Sequence, residues 1–290
     1  MFDGFERTAV DVGGTRIHVR RGGSGPPLLL LHGHPQTHVM WHKIAPLLAR
    51  DFTVIAADLR GYGDSAKPEA PSDVAAFSKR AMAEDQIGVM CRLGYERFSV
   101  AGHDRGGRCA YRMALDHPER VERLAVLDIV PTAEVWLRAD RAFALGYWHW
   151  GFLAQPYDLP ERMLSPDPLG VLRRFPLATF APEALAEYER CLQIPGTLHA
   201  VCQDYRAGAT IDFDDDMADR GRRKIAAPLL ALWGARGAVG AWYDVLDVWR
   251  AWASDVRGAG IACGHFLAEE APAETYAALR AFFTETASAA

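Results

Sequence analysis

The sequence of 290 residues lacks the cysteine pattern of a disulfide framework or of a zinc site. Its five cysteines are an odd number and contain no CxxC pair; they are Cys91, Cys109, Cys191, Cys202 and Cys263. Disulfide-rich domains and zinc modules need paired or closely spaced cysteines. We therefore expect reduced thiols that pack in the interior, as free cysteine commonly does, and a cytoplasmic protein.

Long apolar segments and an excess of one charge are also missing. The run PPLLLLHG is far shorter than a bilayer-spanning helix, and the start MFDGFERTAVDV has no apolar run of signal-peptide type. The formal net charge is -5, without a basic patch of the kind that binds nucleic acid. The histidines form no HExxH or clustered ligand pattern. We expect no metal or organic cofactor, no nucleic acid and no membrane partner.

The chain does contain a series of short apolar runs separated by helical patterns. RTAVDV and TRIHVRRGG alternate in polarity around Gly13 and Gly14, which predicts a β-hairpin. PPLLLLHG, FTVIAADLR, RFSVAGHD, RLAVLDIVP and PLLALWG are typical of strands buried on both faces. Helical spacing over 75–93, and over GGRCAYRMALDHPER as far as His117, separates some of these runs. The pattern predicts an α/β protein with a mainly parallel sheet.

The stretch from about 132 to 220 differs because it has no buried-strand pattern. It is rich in aromatic residues, as in VWLRADRAFALGYWHWGFL, and its apolar spacing is helical. We expect a helical cap over residues 132–220, inserted into a core formed by 1–131 and 221–290. Such a cap would cover the carboxyl edge of the sheet, where ligands bind in open α/β sheets. DFDDDMADRGRRK, near its end, is interpreted as a solvent-exposed connection to the core.

The segment GHDRGGR joins a predicted strand to a predicted helix through a tight turn. This is the geometry of a nucleophile elbow, and its glycines provide room for a sharp turn. The residue at its tip is Asp104, for which a helix N-cap is the alternative role. The backbone N–H of Arg105 begins the helix, and that of His34 in LLLHGHPQT follows another strand. Both N–H groups are candidates for an oxyanion hole.

These segments together resemble the α/β-hydrolase fold over essentially the whole chain. HGHPQT, DLRGYGDSAKP, GHDRGGR and GHFLAEEAP occur in the order of that family. An aspartate at the elbow is similar to the haloalkane dehalogenase and epoxide hydrolase branch. The resemblance implies that His265 is the catalytic base. It also implies that Asp128 orients this base, because the loop after LLALWG has no aspartate before Asp244. Capping of the following segment is the alternative role of Asp128.

An aspartate nucleophile implies a defined mechanism. The carboxylate of Asp104 attacks a saturated carbon in line, expels a leaving group and forms an ester. Water activated by His265 then attacks the ester carbonyl. The oxyanion that results lies against the N–H groups of His34 and Arg105.

Two arginines follow the candidate nucleophile. Arg105 is adjacent to it and Arg108 lies three residues further, so both are on one helix face. Cations at a helix N-terminus are unfavourable unless an anion binds there, and guanidinium groups match a carboxylate in bidentate fashion. We expect these arginines to bind a substrate carboxylate next to the carbon attacked. A solvent-exposed Arg108 is the alternative.

The D-R-x-x-R pattern at the elbow resembles that of the fluoroacetate dehalogenase family. His149 and Trp150 in GYWHWGFLAQP, and Tyr205 in QDYRAG, match further marks of that family. The resemblance implies that these three side chains donate hydrogen bonds to the departing halide. It also implies a homodimer. The neighbouring Tyr147 and Trp148 are interpreted as packing residues.

Two features depart from the family pattern. His34 stands where relatives have phenylalanine, and its side chain adds a titratable donor beside the substrate. The cap between about Leu164 and Leu185 is short and lacks the tryptophan of relatives. Both changes are expected to widen or re-polarise the pocket.

The leading hypothesis is the hydrolysis of a small 2-haloacid, above all fluoroacetate to glycolate and fluoride, with the acid and water as the only partners. An epoxide hydrolase is one alternative, and a dehalogenase that prefers chloro, bromo or bulkier acids is another. A non-catalytic ligand-binding protein is the third. The set of Asp104, His265 and Asp128 argues against it, because a binding module needs no base.

Overall fold

A single eight-stranded sheet forms the centre of the computed structural model, which describes residues 1–68 and 73–285. The strands are β1 (Glu6–Val12), β2 (Thr15–Gly22), β3 (Pro27–Leu31), β4 (Thr53–Ala57), β5 (Phe98–His103), β6 (Val121–Leu127), β7 (Leu229–Gly234) and β8 (Val256–Ile261). Their spatial order is β1-β2-β4-β3-β5-β6-β7-β8. The β1–β2 hairpin and the β2–β4 pair are antiparallel, and the other pairs are parallel. The predicted α/β class with a mainly parallel sheet is confirmed.

Hydrophobic cores lie on both faces of the sheet. In β3, Leu29 and Leu31 belong to one cluster and Leu28 and Leu30 to the other, because successive side chains of a strand point to opposite faces. This explains the continuous apolar runs in the sequence. The helices outside the long insertion are α1 (Ala45–Leu48), α2 (Lys79–Arg92), α3 (Arg105–Asp116), α12 (Ala238–Trp242), α13 (Val245–Trp252), α14 (Leu267–Glu270) and α15 (Pro272–Thr284), with short 3-10 turns at His38–Trp41 and Val74–Phe77.

The helix predicted over 75–93 is two elements. A 3-10 turn ends at Phe77, and α2 begins at Lys79. Ser78 between them has extended backbone, and its side chain accepts a hydrogen bond from the N–H of Ala81. Ser78 is therefore the N-cap of α2, a role for which serine is well suited.

The chain between β6 and β7 is helical, as expected. It contains α4 (Thr132–Leu137), α5 (Arg141–Gly146), α6 (Trp148–Leu153), α7 (Leu159–Leu164), α8 (Gly170–Arg173), α9 (Pro182–Leu192), α10 (Thr197–Ala209), α11 (Ile211–Asp219) and a 3-10 turn at Leu177–Thr179. The domain boundaries 1–131, 132–220 and 221–290 stay predictions. None of the helices in residues 1–68 and 73–285 has the length and apolar character that crossing a bilayer requires.

The acidic segment near the end of this insertion is not the solvent-exposed connection that its charge predicted. It forms α11, in which Asp212, Asp216 and Asp219 are buried. The carboxylate of Asp216 accepts a hydrogen bond of 2.7 Å from the Tyr111 hydroxyl, and that of Asp219 accepts one of 2.8 Å from Arg112. The prediction was wrong because these aspartates lie on one helix face, where Tyr111 and Arg112 of α3 contact Asp216 and Asp219, and Lys79 of α2 contacts Asp212.

Candidate active site

The turn between β5 and α3 has the geometry of a nucleophile elbow. Asp104 has φ +46° and ψ -116°, a conformation that residues with a side chain rarely adopt. A Cβ atom added to Gly102 would lie 2.4 Å from the carbonyl oxygen of Gly106, so the close approach requires glycine. The Asp104 side chain makes no capping hydrogen bond to α3. Its alternative interpretation as an N-cap therefore does not hold.

The loop after β3 supplies a hydrogen bond to this carboxylate. The backbone N–H of His34 donates to Oδ1 of Asp104 at 2.9 Å. β3 and β5 are neighbours in the sheet, which brings the two loops together at its carboxyl edge. Arg105 is the first residue of α3, so its N–H is among those that have no partner within the helix. The candidate oxyanion donors are thus at the tip of the elbow.

Asp128 and His265 are paired, as the sequence predicted. Nδ1 of His265 lies 2.6 Å from Oδ2 of Asp128, and the N–H of Gly234 donates to Oδ1 of Asp128 at 2.9 Å. Asp128 is buried, and these contacts orient it toward the histidine. Burial alone would lower the pKa of His265, but the hydrogen bond and charge of Asp128 raise it above its ordinary value. Asp128 thus makes His265 a stronger base and holds its ring in place to accept a proton.

The surroundings keep Asp104 ionised. Burial would raise the pKa of its carboxyl group, but the nearby charges of His265, Arg105 and Arg108 outweigh that effect and hold the pKa well below its usual range. Oδ2 of Asp104 takes no hydrogen bond from the described part of the chain. A nucleophilic oxygen with its charge in place is therefore available.

The two arginines after the nucleophile are buried and partly committed to protein groups. Arg105 donates to the carboxylate of Asp204 from Nε at 2.9 Å and from Nη2 at 2.5 Å. Arg108 donates from Nη1 to the Val130 carbonyl at 2.9 Å and to the Thr132 hydroxyl at 3.1 Å. In residues 1–68 and 73–285, Nη1 of Arg105 and Nε of Arg108 have no partner. Arg108 is thus not solvent-exposed. Each arginine keeps N–H groups without a partner in the described residues, including those on Nη2 of Arg108.

Asp204 is a site residue that the sequence reasoning missed. It is buried and accepts hydrogen bonds from Arg105, from the Tyr62 hydroxyl at 2.7 Å and from the ammonium group of Lys79. Burial would raise the pKa of its carboxyl group, but the charges of Arg105 and Lys79 hold it well below the usual range. The only signal in the sequence was its position next to Tyr205 in QDYRAG.

A cavity of about 220 Å³ lies between the elbow and the helical insertion. Its walls include Asp104 and His265 from the core together with His34, Gly146, Tyr147, Trp148, His149, Trp150, Arg174, Phe175, Tyr205 and Ala238. The structure therefore brings the predicted nucleophile, base and halide donors to one cavity. Tyr147 packs against the hydrophobic core, as interpreted, and also lines the cavity. The interpretation of Trp148 as a packing residue was wrong, since it is 49% exposed at the cavity.

The aromatic residues predicted to bind halide surround the arginines. The guanidinium of Arg105 lies 4.5 Å from the ring centre of Tyr205, and that of Arg108 lies 4.5 Å from the ring centre of Trp150. Neither Nε1 of Trp150 nor the hydroxyl of Tyr205 has a hydrogen-bond partner among the described residues. Both groups are therefore free to donate to a ligand.

The side chain of His34 is not a titrating donor at neutral pH. Burial lowers the pKa of its imidazole to about 3, so the ring is neutral under ordinary conditions. Its Nδ1 is buried and has no partner within the described residues. The ring lies edge to face with Tyr205 at a centre distance of 5.6 Å. His34 therefore contributes a neutral polar wall.

Arg174 is a second residue that the sequence did not reveal. It follows α8 in the segment between Leu164 and Leu185, and its Nη1 lies 2.5 Å from Nδ1 of His149. Nothing in the sequence separated Arg174 from the adjacent Arg173, which is exposed. The structure thus places Arg174 in the wall of the cavity, whereas Arg105 and Arg108 lie behind Tyr205 and Trp150 and are not among its lining residues.

Comparison with known proteins agrees with this arrangement. The family model of the α/β hydrolase fold matches residues 26–272. The chain is 46% identical to a fluoroacetate dehalogenase from a Burkholderia species, over 99% of this chain and 97% of that protein. It is also 38% identical to a soluble epoxide hydrolase from Corynebacterium sp. (strain C12), over 90% of this chain and 91% of that protein.

A solved structure is similar over the full length. A protein from Nostoc sp PCC 7120, provisionally assigned to the α/β hydrolases, superposes with a TM-score of 0.96 at 53% identity, covering 99% of this chain and 100% of that one. The chain therefore belongs to the α/β-hydrolase family and, within it, to the fluoroacetate dehalogenase family.

Proposed function

We propose that the protein hydrolyses the carbon–halogen bond of a small 2-haloacid, with fluoroacetate as the leading substrate. One observation carries the proposal: an ionised aspartate stands at the elbow, in the same cavity as the His265–Asp128 pair. A serine hydrolase has a neutral hydroxyl there and needs a base to activate it. A carboxylate can displace a halide without one.

In the first step, Oδ2 of Asp104 attacks the carbon that carries the halogen. A new carbon–oxygen bond forms while the carbon–halogen bond breaks, and the halide leaves with the bonding electron pair. The N–H groups left over on Arg105 and Arg108 bind the substrate carboxylate. Trp150, Tyr205 and His149 stabilise the departing halide, which is a strong hydrogen-bond acceptor when it is fluoride.

In the second step, the ester is hydrolysed at the carbonyl carbon of Asp104. His265 removes a proton from water, and the hydroxide adds to that carbon. The N–H groups of His34 and Arg105 stabilise the tetrahedral oxyanion, and removal of one such donor commonly costs about 100- to 1000-fold in rate. Collapse of the intermediate releases the 2-hydroxy acid and regenerates Asp104, while His265 returns its proton to the alkoxide.

The test is halide release from fluoroacetate and chloroacetate by the purified protein and two variants. We expect release by the wild type and none by Asp104→Asn. His265→Gln should release halide once and then stop, because the ester forms but is not hydrolysed. Mass spectrometry of that variant should show one carboxymethyl group on the peptide that contains Asp104.

The matched control is His117→Gln, because His117 is partly exposed and pairs with Glu84 far from the cavity. It should behave as the wild type. Steady turnover by Asp104→Asn, or a wild type that releases no halide from either acid, would contradict the proposal.

Epoxide hydrolysis is the second candidate, and one observation favours it. Tyr147 and Tyr205 both line the cavity, and an epoxide hydrolase of this branch uses two cap tyrosines to protonate the epoxide oxygen. Turnover of a small epoxide such as glycidol, with no halide release from either acid, would establish this activity instead.

The setting of the reaction is also proposed. All five cysteines are free thiols, which supports a cytoplasmic location because that compartment keeps thiols reduced. A homodimer stays a prediction from the family resemblance, and the 2-haloacid and water are the proposed partners.

A further inference from the structure

The cavity contains a cation that the mechanism above does not use. Arg174 lies at the end of α8 and lines the cavity together with Asp104 and His149. Its Nη1 is 2.5 Å from Nδ1 of His149, and its Nη2 is 3.4 Å from Nε2 of the same ring. Because arginine only donates hydrogen bonds, Nδ1 of His149, at the shorter distance, is the acceptor.

Arg174 has no carboxylate partner in residues 1–68 and 73–285. The adjacent Arg173 shows the contrast, because its guanidinium lies 2.8 Å from both carboxylate oxygens of Asp167 at the surface. Burial lowers the pKa of Arg174, and the one carboxylate that opposes this effect is Asp104 in the cavity. A partly buried charge without a counter-ion favours the binding of an anion.

The surrounding donors indicate which anion this is. Arg105 and Arg108 flank the nucleophile, where the substrate carboxylate is proposed to bind. Trp150 and Tyr205 provide unpartnered N–H and O–H groups, and Tyr205 lies 5.7 Å from His149 between ring centres. Arg174 contacts His149 on this side of the cavity, so its charge lies beside the proposed halide donors.

We infer that Arg174 is an anion-binding residue for the departing halide, a role that rests on the dehalogenation proposed above. As the bond from Oδ2 of Asp104 to carbon forms, the electron pair of the carbon–halogen bond moves to the halogen. The guanidinium compensates the negative charge that develops there, and no proton is transferred. Fluoride concentrates this charge in the smallest volume, so its departure depends most on Arg174.

The test compares fluoroacetate and chloroacetate in Arg174→Met, Arg174→Lys and the control Arg173→Met. We expect Arg174→Met to lower kcat for fluoroacetate by about 10- to 100-fold, the effect of losing one hydrogen bond to a charged group. The loss with chloroacetate should be under about threefold, so the ratio of the two rates falls. Arg174→Lys should restore part of the rate with fluoroacetate. Arg173→Met should leave the rates with both acids as they are in the wild type.

A second readout needs no turnover. Trp148 and Trp150 line the cavity, so quenching of tryptophan fluorescence reports the binding of free fluoride. Arg174→Met should weaken this binding by about tenfold or more, with the melting temperature checking that the fold is kept. Arg173→Met should bind fluoride as the wild type does.

Two results would overturn the inference. If Arg174→Met loses activity equally with both acids, and the loss appears as a higher KM, Arg174 binds the substrate carboxylate instead of the halide. Unchanged rates and unchanged fluoride binding in Arg174→Met would leave it no role in anion binding. If the wild type turns over neither acid, the proposed dehalogenation fails. The fluoride titration then still decides whether Arg174 binds a halide.

Discussion

At the scale of single residues, Asp128 determines what His265 can do. Its two carboxylate oxygens are divided between the N–H of Gly234 and Nδ1 of His265. This arrangement leaves Nε2 of His265 free for the water that, in the proposed mechanism, attacks the ester. The negative charge of Asp128 also stabilises the imidazolium that forms when the proton moves.

Replacing Asp128 by Asn is therefore expected to change both the rate and its pH dependence. The base acts when it is neutral, so the rate of ester hydrolysis rises with pH through the pKa of His265. Asp128 raises that pKa above 6.5, and its loss moves the rising limb to lower pH. The plateau rate should fall by about 1000- to 10,000-fold, as in other catalytic histidine–aspartate pairs. Pre-formed ester followed by single-turnover kinetics across pH measures both effects.

The matched control is Asp244→Asn. Asp244 is the aspartate that follows β7 in sequence, and its side chain caps α13 by accepting the N–H of Asp247. We expect this variant to keep the pH profile of the wild type. A rising limb that stays in place in Asp128→Asn would show that another group sets the pKa of the base.

At the scale of elements, Asp204 joins the helical insertion to the elbow. It lies on α10, and its carboxylate binds Arg105 of α3 and Lys79 of α2. The next residue, Tyr205, lines the cavity. One turn of α10 therefore positions both a candidate carboxylate-binding arginine and a candidate halide donor, because both depend on where this helix lies.

Replacing Asp204 by Asn should destabilise the protein and weaken substrate binding. Removal of one partner of a buried ion pair typically costs about 3–5 kcal/mol, since the remaining charges stay buried without compensation. Arg105 loses its anchor, so KM for the haloacid should rise more than kcat falls. Urea unfolding and steady-state kinetics measure the two effects.

Asp167→Asn provides the comparison within the same insertion. The Asp167–Arg173 pair is half exposed, and such pairs contribute about 0–1 kcal/mol. The KM of Asp167→Asn should equal that of the wild type. Equal unfolding free energies for the two variants would mean that the buried Asp204 contributes no more to stability than Asp167 does.

At the scale of the whole molecule, the sequence was informative where local patterns dictate the structure. The apolar runs predicted the buried strands, because a strand covered on both faces consists mostly of apolar residues. GHDRGGR predicted the elbow, since its glycines are needed where the backbone approaches closely. Asp128 and His265 followed from the family resemblance, which assigns roles to their positions after strands. The pairing of these two residues is confirmed by geometry, while their catalytic roles stay predictions.

The sequence was not informative where a contact joins distant segments. Nothing local distinguishes Arg174 from Arg173, and only the fold of the insertion places the first in the cavity and the second in solvent. The same holds for α11. Its run of aspartates has the composition of an exposed segment, yet Tyr111, Arg112 and Lys79 pack against one face of it.

The buried face of α11 links the stability of the whole protein to pH. Asp216 accepts hydrogen bonds from the Tyr111 hydroxyl and the N–H of Ala133, but burial raises the pKa of its carboxyl group from 3.8 to about 6. Because the folded-state pKa is raised, its contribution to stability is fully present below pH 3.8 and is lost as pH rises through about 6.

Asn at this position does not titrate. The unfolding free energy of Asp216→Asn minus that of the wild type should therefore grow by ~2.5 kcal/mol between about pH 4 and pH 7.5. Urea unfolding at several pH values measures this difference, with Asp215→Asn as the control, because Asp215 pairs with the exposed Arg80 and its difference should stay flat. A flat difference for Asp216→Asn as well would mean that Asp216 stays ionised in the fold, held by Arg112 at 3.4 Å.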